Sequence, residues 1–313
     1  MEKLTNFREG RAMKAKFLVI IPVILLAACH QAEQEDPTTV QKPEETVQNA
    51  DGVWTLTIQA SKGDADTKAL DLSSDGSTLS AYWLDTEKVK VYKDGTYLGR
   101  LDVTPSAGER PTTATLSGEI TVTGLSQGTN LTLMIPNGDT WSYTDQTGTL
   151  SSIQANYDYA MATVSVESIS GNAVTTTSAT FDNMQSIYRF GFKLNSNYFD
   201  PADFTVSSAG GHIVTGRALS GSEWTSSFGS LLVSPSAASD HFYYVSIRNE
   251  STAADTYNFN LHDNVGTLYM GAQAIPATSL ATSGRFISAK NIVVTQPSFA
   301  PASGEVSSSS AVL

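Results

Sequence analysis

The chain has 313 residues, a formal net charge of −12, 16% charged side chains and a single cysteine. The acidic balance argues against nucleic acid as a partner, because such binding needs clustered lysine and arginine to displace counterions. One cysteine excludes an intrachain disulfide and a cysteine-rich zinc site.

Residues 1–28 read as a leader. Lys3, Arg8, Arg11, Lys14 and Lys16 precede an apolar run from Phe17 to Ala28, too short for a membrane-spanning helix and suited to a signal-peptide core. Met13 offers a second start with its own charged leader. The run closes on Leu26-Ala27-Ala28-Cys29, which resembles the bacterial lipobox, so Cys29 is the expected site of lipid attachment. Residues 29–51 are polar and acidic, contain proline and lack apolar periodicity, the composition of a disordered tether. Glu33, Glu35 and Asp36 resemble the surface-export signal of Bacteroidetes lipoproteins, and a solvated linker accounts for them equally well.

From Val53 the pattern changes. Trp54, Leu56, Ile58 and Ala60 fall on one face and Val53, Thr55, Thr57 and Gln59 on the other, the period of a half-buried strand. Ser61 to Lys68 is small, charged and glycine-containing, which predicts an exposed loop. It ends on Lys68-Ala69, where a trypsin-like protease can reach. A first strand tethered by a cuttable loop is a removable part. A permanent edge strand followed by an ordinary loop lysine is the alternative.

Further strands follow at short intervals. Val89 to Tyr92 and Tyr97 to Leu98 flank Asp94-Gly95, a hairpin signal. Ala114 to Val122 reads as more strand, and Leu131 to Ile135 as an apolar one central in a sheet. Tyr157 to Val166 alternates Ala160, Ala162, Val164 and Val166 against more polar neighbours. The polar stretch Ser168 to Thr177, centred on Gly171-Asn172, reads as a domain boundary. Beyond it, strands recur about every ten residues through Phe286 to Thr295. Pro297, Pro301 and a serine run from Ser307 to Ser310 stop the last strand, leaving a flexible tail over 297–313.

No stretch shows sustained helical periodicity, so the chain is predicted to be all-β, of sandwich or barrel type, with one domain over 52–170 and another over 171–313. Catalytic signals are missing. His30, His212, His241 and His262 show no ligand spacing in sequence, and no Gly-x-Ser-x-Gly elbow is present. No metal, cofactor or enzymatic activity is expected. Tyr243, Tyr244 and Trp224 could stack on sugars, although core packing explains them better.

Several stretches together resemble the fimbrillins, the type V pilus subunits and related lipoproteins of Bacteroidetes. They are the strand and loop ending Thr67-Lys68-Ala69-Leu70, Trp83 with Glu87 to Tyr92, and Trp141-Ser142-Tyr143 through Gln146 to Leu150 and on to Tyr157 to Ala160. The resemblance spans Val53 to Thr295 and is most specific around Trp141 to Ala160. It implies two tandem transthyretin-like antiparallel β-sandwich domains and lipid-anchored export to the outer membrane. It also implies cleavage by a surface trypsin-like protease, with Lys62 and Arg100 as alternatives to Lys68. Other pilus subunits would then supply a strand to fill the vacated groove. A non-polymerising surface lipoprotein that binds carbohydrate or a host ligand is the rival reading.

Overall fold

The computed structural model describes residues 52–62, 71–74, 79–136, 138–236, 240–280 and 283–298. Cys29, Lys68, Ala69, the leader, the tether and the tail beyond Ser298 lie outside the described residues.

Two sheets carry most of the chain. The first half contributes β1 (Val53–Lys62), β2 (Asp71–Leu72), β3 (Leu79–Ser80), β4 (Lys88–Lys93), β5 (Thr96–Pro105), β6 (Thr113–Thr121), β7 (Asn130–Ile135) and β8 (Thr140–Ser142). There follow helix α1 (Leu150–Asn156), β9 (Ala160–Ser170), β10 (Ala173–Thr176) and β11 (Ala179–Asn183). The second half holds β12 (Ser186–Leu194), β13 (Asn197–Phe199), β14 (Asp203–Ser208), β15 (Val214–Ser220), β16 (Glu223–Phe228) and β17 (Leu231–Val233). It ends with β18 (Tyr243–Ile247), β19 (Asp255–His262), β20 (Leu268–Ile275), helix α2 (Ala277–Leu280) and β21 (Phe286–Thr295).

The all-β expectation holds, and the first sheet goes further than an open sandwich layer. Its order β1-β11-β9-β7-β4-β5-β6 returns to β1, because β6 pairs with β1 along Val53 to Ser61. A closed ring has no free edge. β10 and β11 share one lane between β1 and β9, end to end: β10 pairs at Thr55 to Thr57 and β11 at Ala60 to Lys62. Both run parallel to β1, and β12 runs parallel to β21, so the sheets are mixed where antiparallel ones were expected.

Ser168 to Thr177 is also not a linker. Gly171, at φ +60°, turns a hairpin that returns β10 onto β9, and β11 then carries the first sheet on to Asn183. A polar hairpin at a barrel rim has the same composition as a boundary, which is why the two look alike in sequence. The crossing into the second sheet comes at Met184-Gln185, just ahead of β12.

The halves are interwoven. Trp141, Tyr143 and Tyr159 precede β9 yet pack in the second core with Phe190, Phe204 and Phe259. β8 pairs with β15 in a separate sheet of order β16-β15-β8. Trp141 stacks on Tyr159 at 5.0 Å and lies 4.3 Å from Trp224 on β16, with the Arg217 guanidinium 4.8 Å from the Trp224 ring.

At the tips, Asp94 (φ +50°) and Gly95 (φ +75°) form the expected hairpin turn, and this turn abuts the β15–β16 turn. A Cβ on Gly95 would stand 1.5 Å from the Gly221 carbonyl oxygen. Gly95→Ala must therefore separate the two turns as well as strain the backbone, at a cost of about 1–3 kcal/mol. A fall in thermal midpoint, with faster amide exchange at β15 and β16 as well as at β4 and β5, is the expected result.

Candidate functional site

The site is the lane occupied by β1. Its even-numbered side chains form one inward row: Trp54, Leu56, Ile58 and Ala60 are all under 5% exposed and belong to the first core. Strict alternation with β-branched outward neighbours makes this an ideal strand sequence. Contrary to the edge-strand alternative, both sides of β1 are paired, to β6 on one side and to β10 and β11 on the other. The Trp54 indole N–H also donates to the Val122 carbonyl at 2.8 Å, fixing the register at the outer end.

At the far end the strand runs two residues past the predicted stop. Lys62 occupies the fifth inward position and is buried. Its ammonium donates to both Glu87 carboxylate oxygens, at 3.1 and 2.9 Å, and to the Tyr82 carbonyl. The nitrogen sits 4.4 Å above the Trp83 ring, which in turn meets Phe181 edge-on at 5.4 Å. Glu87 also accepts the Leu84 amide at 2.9 Å, so the carboxylate is held in place from its own loop. Burial pulls the Lys62 pKa down against the opposing pull of Glu87. Desolvation thus outweighs attraction, and the pair does little for stability by itself. Beside it, Glu87 and Asp158 line a cleft of about 510 Å³ with Ser151 and Gln154 of α1.

This geometry removes two of the alternative cut sites. The Lys62 side chain is engaged, its amide donates to the Thr112 carbonyl at 3.0 Å, and it pairs with Phe181 of β11. Arg100 has an exposed side chain, but its backbone sits in β5 opposite Lys90 of β4, between two neighbours. A protease needs extended, unpaired chain, which neither position offers. The onward covalent link from β1 to β2 runs through residues 63–70.

The sugar-stacking candidates are packing residues. Tyr243 and Tyr244 are 1% and 8% exposed, and Trp224 is covered by Trp141 and Arg217. His30 lies outside the described residues; the other three histidines, unpartnered in sequence, each meet a distant aspartate: His212 with Asp255 at 3.5 Å, and His241 with Asp200 and His262 with Asp203, both at 2.7 Å. The last pair faces across β14 and β19, a register no local spacing reveals. Among the described residues, no group of three His, Cys, Asp or Glu side chains could hold a metal ion.

No protein-family model and no curated protein matches the sequence. Among solved structures, the chain is similar to a candidate cell adhesion protein from Bacteroides ovatus, at 11% identity and TM-score 0.39, over 78% of this chain and 95% of that one. A candidate cell adhesion protein from Bacteroides uniformis matches at 12% identity and TM-score 0.38, over 80% and 99%. A fimbrial assembly protein from Parabacteroides distasonis matches at 10% identity and TM-score 0.38, over 75% and 89%.

Proposed function

We propose that this chain is a non-enzymatic surface subunit of the fimbrillin type, built for pili and adhesion. In this reading it has two transthyretin-like lobes in tandem, the first carrying β1 to β7 and β9 to β11, the second β12 to β21. Residues 1–28 are the export leader, Cys29 takes the lipid that anchors the precursor to the outer membrane, and 29–51 are the tether. A trypsin-like surface protease cuts at Lys68-Ala69. The strand bearing Trp54, Leu56, Ile58 and Ala60 then leaves, and a strand from a neighbouring subunit takes its lane.

The supporting observation is the position of β1. It is the first strand of the fold, fills an internal lane with an apolar inward row, and connects onward through one short segment. Its loss would open an apolar slot between two unpaired backbone edges, the arrangement that strand addition requires. Three large side chains at about 1.5–3 kcal/mol each suffice to hold the strand in place after a cut. Release therefore needs a competitor strand as well as a protease.

The test is limited proteolysis of the full chain with a trypsin-like enzyme, followed by N-terminal sequencing and native electrophoresis. The expected product begins at Ala69, remains folded, and keeps its cut segment until excess peptide of sequence 53–62 is added. A folded product that never exchanges that segment would exclude strand replacement.

A further inference from the structure

The inward row of β1 ends on a cation, and the proposed strand replacement does not account for it. Four apolar side chains fill the slot, and the fifth inward position, also buried, holds Lys62. A buried ammonium instead faces a carboxylate fixed by its own backbone, a carbonyl and an aromatic ring. When β1 leaves, Glu87 keeps its place, since the Leu84 amide holds it, but loses the two contacts that compensate its burial. Its side chain is 21% exposed with Lys62 present.

From this arrangement we infer that the slot selects its incoming strand by charge: the donor must place a lysine or arginine at the fifth inward position, against Glu87, the Tyr82 carbonyl and the face of Trp83. The inference rests on the strand-replacement reading and names the partner that reading leaves open. The partner is an extended segment of another polypeptide with alternating apolar residues, bulky where Trp54 lies and small where Ala60 lies. One inward cation sits two residues beyond the small one. An apolar residue there would strand the Glu87 carboxylate, and an acidic one would oppose it, so wrong strands are rejected at the end of the slot. Residues 296–313 carry Glu305 and neither lysine nor arginine, so this stretch of a second copy does not meet the requirement.

The experiment uses the full chain cut within residues 63–70 and fluorescent peptides of sequence 53–62, unaltered or carrying Lys62→Arg, Lys62→Met or Lys62→Glu. Uptake is read by anisotropy and by retention on a native gel. The lysine and arginine peptides are expected to be retained, with methionine about tenfold weaker and glutamate weaker still. A receptor carrying Glu87→Gln should flatten that ranking, and the peptide series leaves the receptor's fold untouched if this variant misfolds. Equal retention of all four peptides overturns charge selection while leaving strand replacement standing. Failure of every peptide to enter a folded, cut receptor overturns both.

Discussion

Leu56→Asp is expected to abolish folding of the first barrel, whereas Thr57→Asp one residue away leaves it intact. Leu56 is fully buried at the middle of β1, between Gly118 of β6 and Val174 of β10. A carboxylate there finds an apolar interior with backbone groups already paired. Loss of leucine burial removes about 2 kcal/mol, and an unpaired buried acid adds several more, so the total exceeds about 5 kcal/mol. Thr57 projects outward and is exposed, opposite Ser117 and Thr175, so the same acid stays hydrated and the change is within about 1 kcal/mol. Amide exchange separates the outcomes. The Leu56 variant should lose protection in β4, β5 and β7 before β14 and β19, since those strands belong to different cores. Equal tolerance of aspartate at both positions would mean that β1 is not integral to the ring.

That contrast also marks how far the sequence can be read. The inward and outward rows of β1 follow from alternation, the hairpin from its Asp94-Gly95 turn, and the central place of β7 from its apolar run, although its neighbours β4 and β9 do not. What alternation cannot supply is the partner. β10 and β11 lie more than a hundred residues from β1, and their parallel pairing closes the ring in a way no local pattern announces. Lys62 was legible as a lysine and therefore as an exposed loop residue, because burial of that side chain is rare unless a partner is waiting. The partner, Glu87, sits 25 residues on in a turn. Helix α1 has seven residues, too few for a helical period to show, and is begun by Thr149 accepting the Ser152 amide at 3.2 Å.

The segment most specific to the fimbrillin resemblance, Trp141 to Ala160, acquires a physical role that its sequence did not suggest. It leaves the first barrel after β7, contributes β8 and three aromatic side chains to the second core, and returns as β9. Its placement ties the fold of one lobe to that of the other.

Within that segment, Gln146 is the residue whose loss should be felt most by the second sheet. The lanes of β17 and β18 are not bonded to each other, and residues 146–148 lie between them. The Gln146 carbonyl accepts the Ser234 amide at 2.9 Å, and the Gly148 carbonyl accepts the Tyr244 amide at 2.9 Å. The Gln146 side chain acts as a third peptide group. Its NH₂ donates to the Ser246 and Tyr143 carbonyls, and its oxygen accepts the Ser246 amide, all at 2.8 Å. With the residue 1% exposed, Gln146→Ala leaves three buried backbone groups unpaired and is expected to cost about 2–4 kcal/mol. Gln146→Glu separates hydrogen bonding from volume, since it keeps the shape and loses the donors. Its carboxyl would face two carbonyl oxygens in a dry site, so its folded pKa must lie above the unfolded value near 4.3. A group raised in this way contributes most below its unfolded pKa and progressively less as pH climbs through the folded one. Measured against the parent chain at each pH, Gln146→Glu should therefore be nearly tolerated at pH 4 and worse than Gln146→Ala at pH 8. Urea midpoints for the three proteins at the two pH values decide the matter. A pH-independent penalty for glutamate would show that solvent reaches the site and that the side chain does not hold residue 146 to Ser246 of β18.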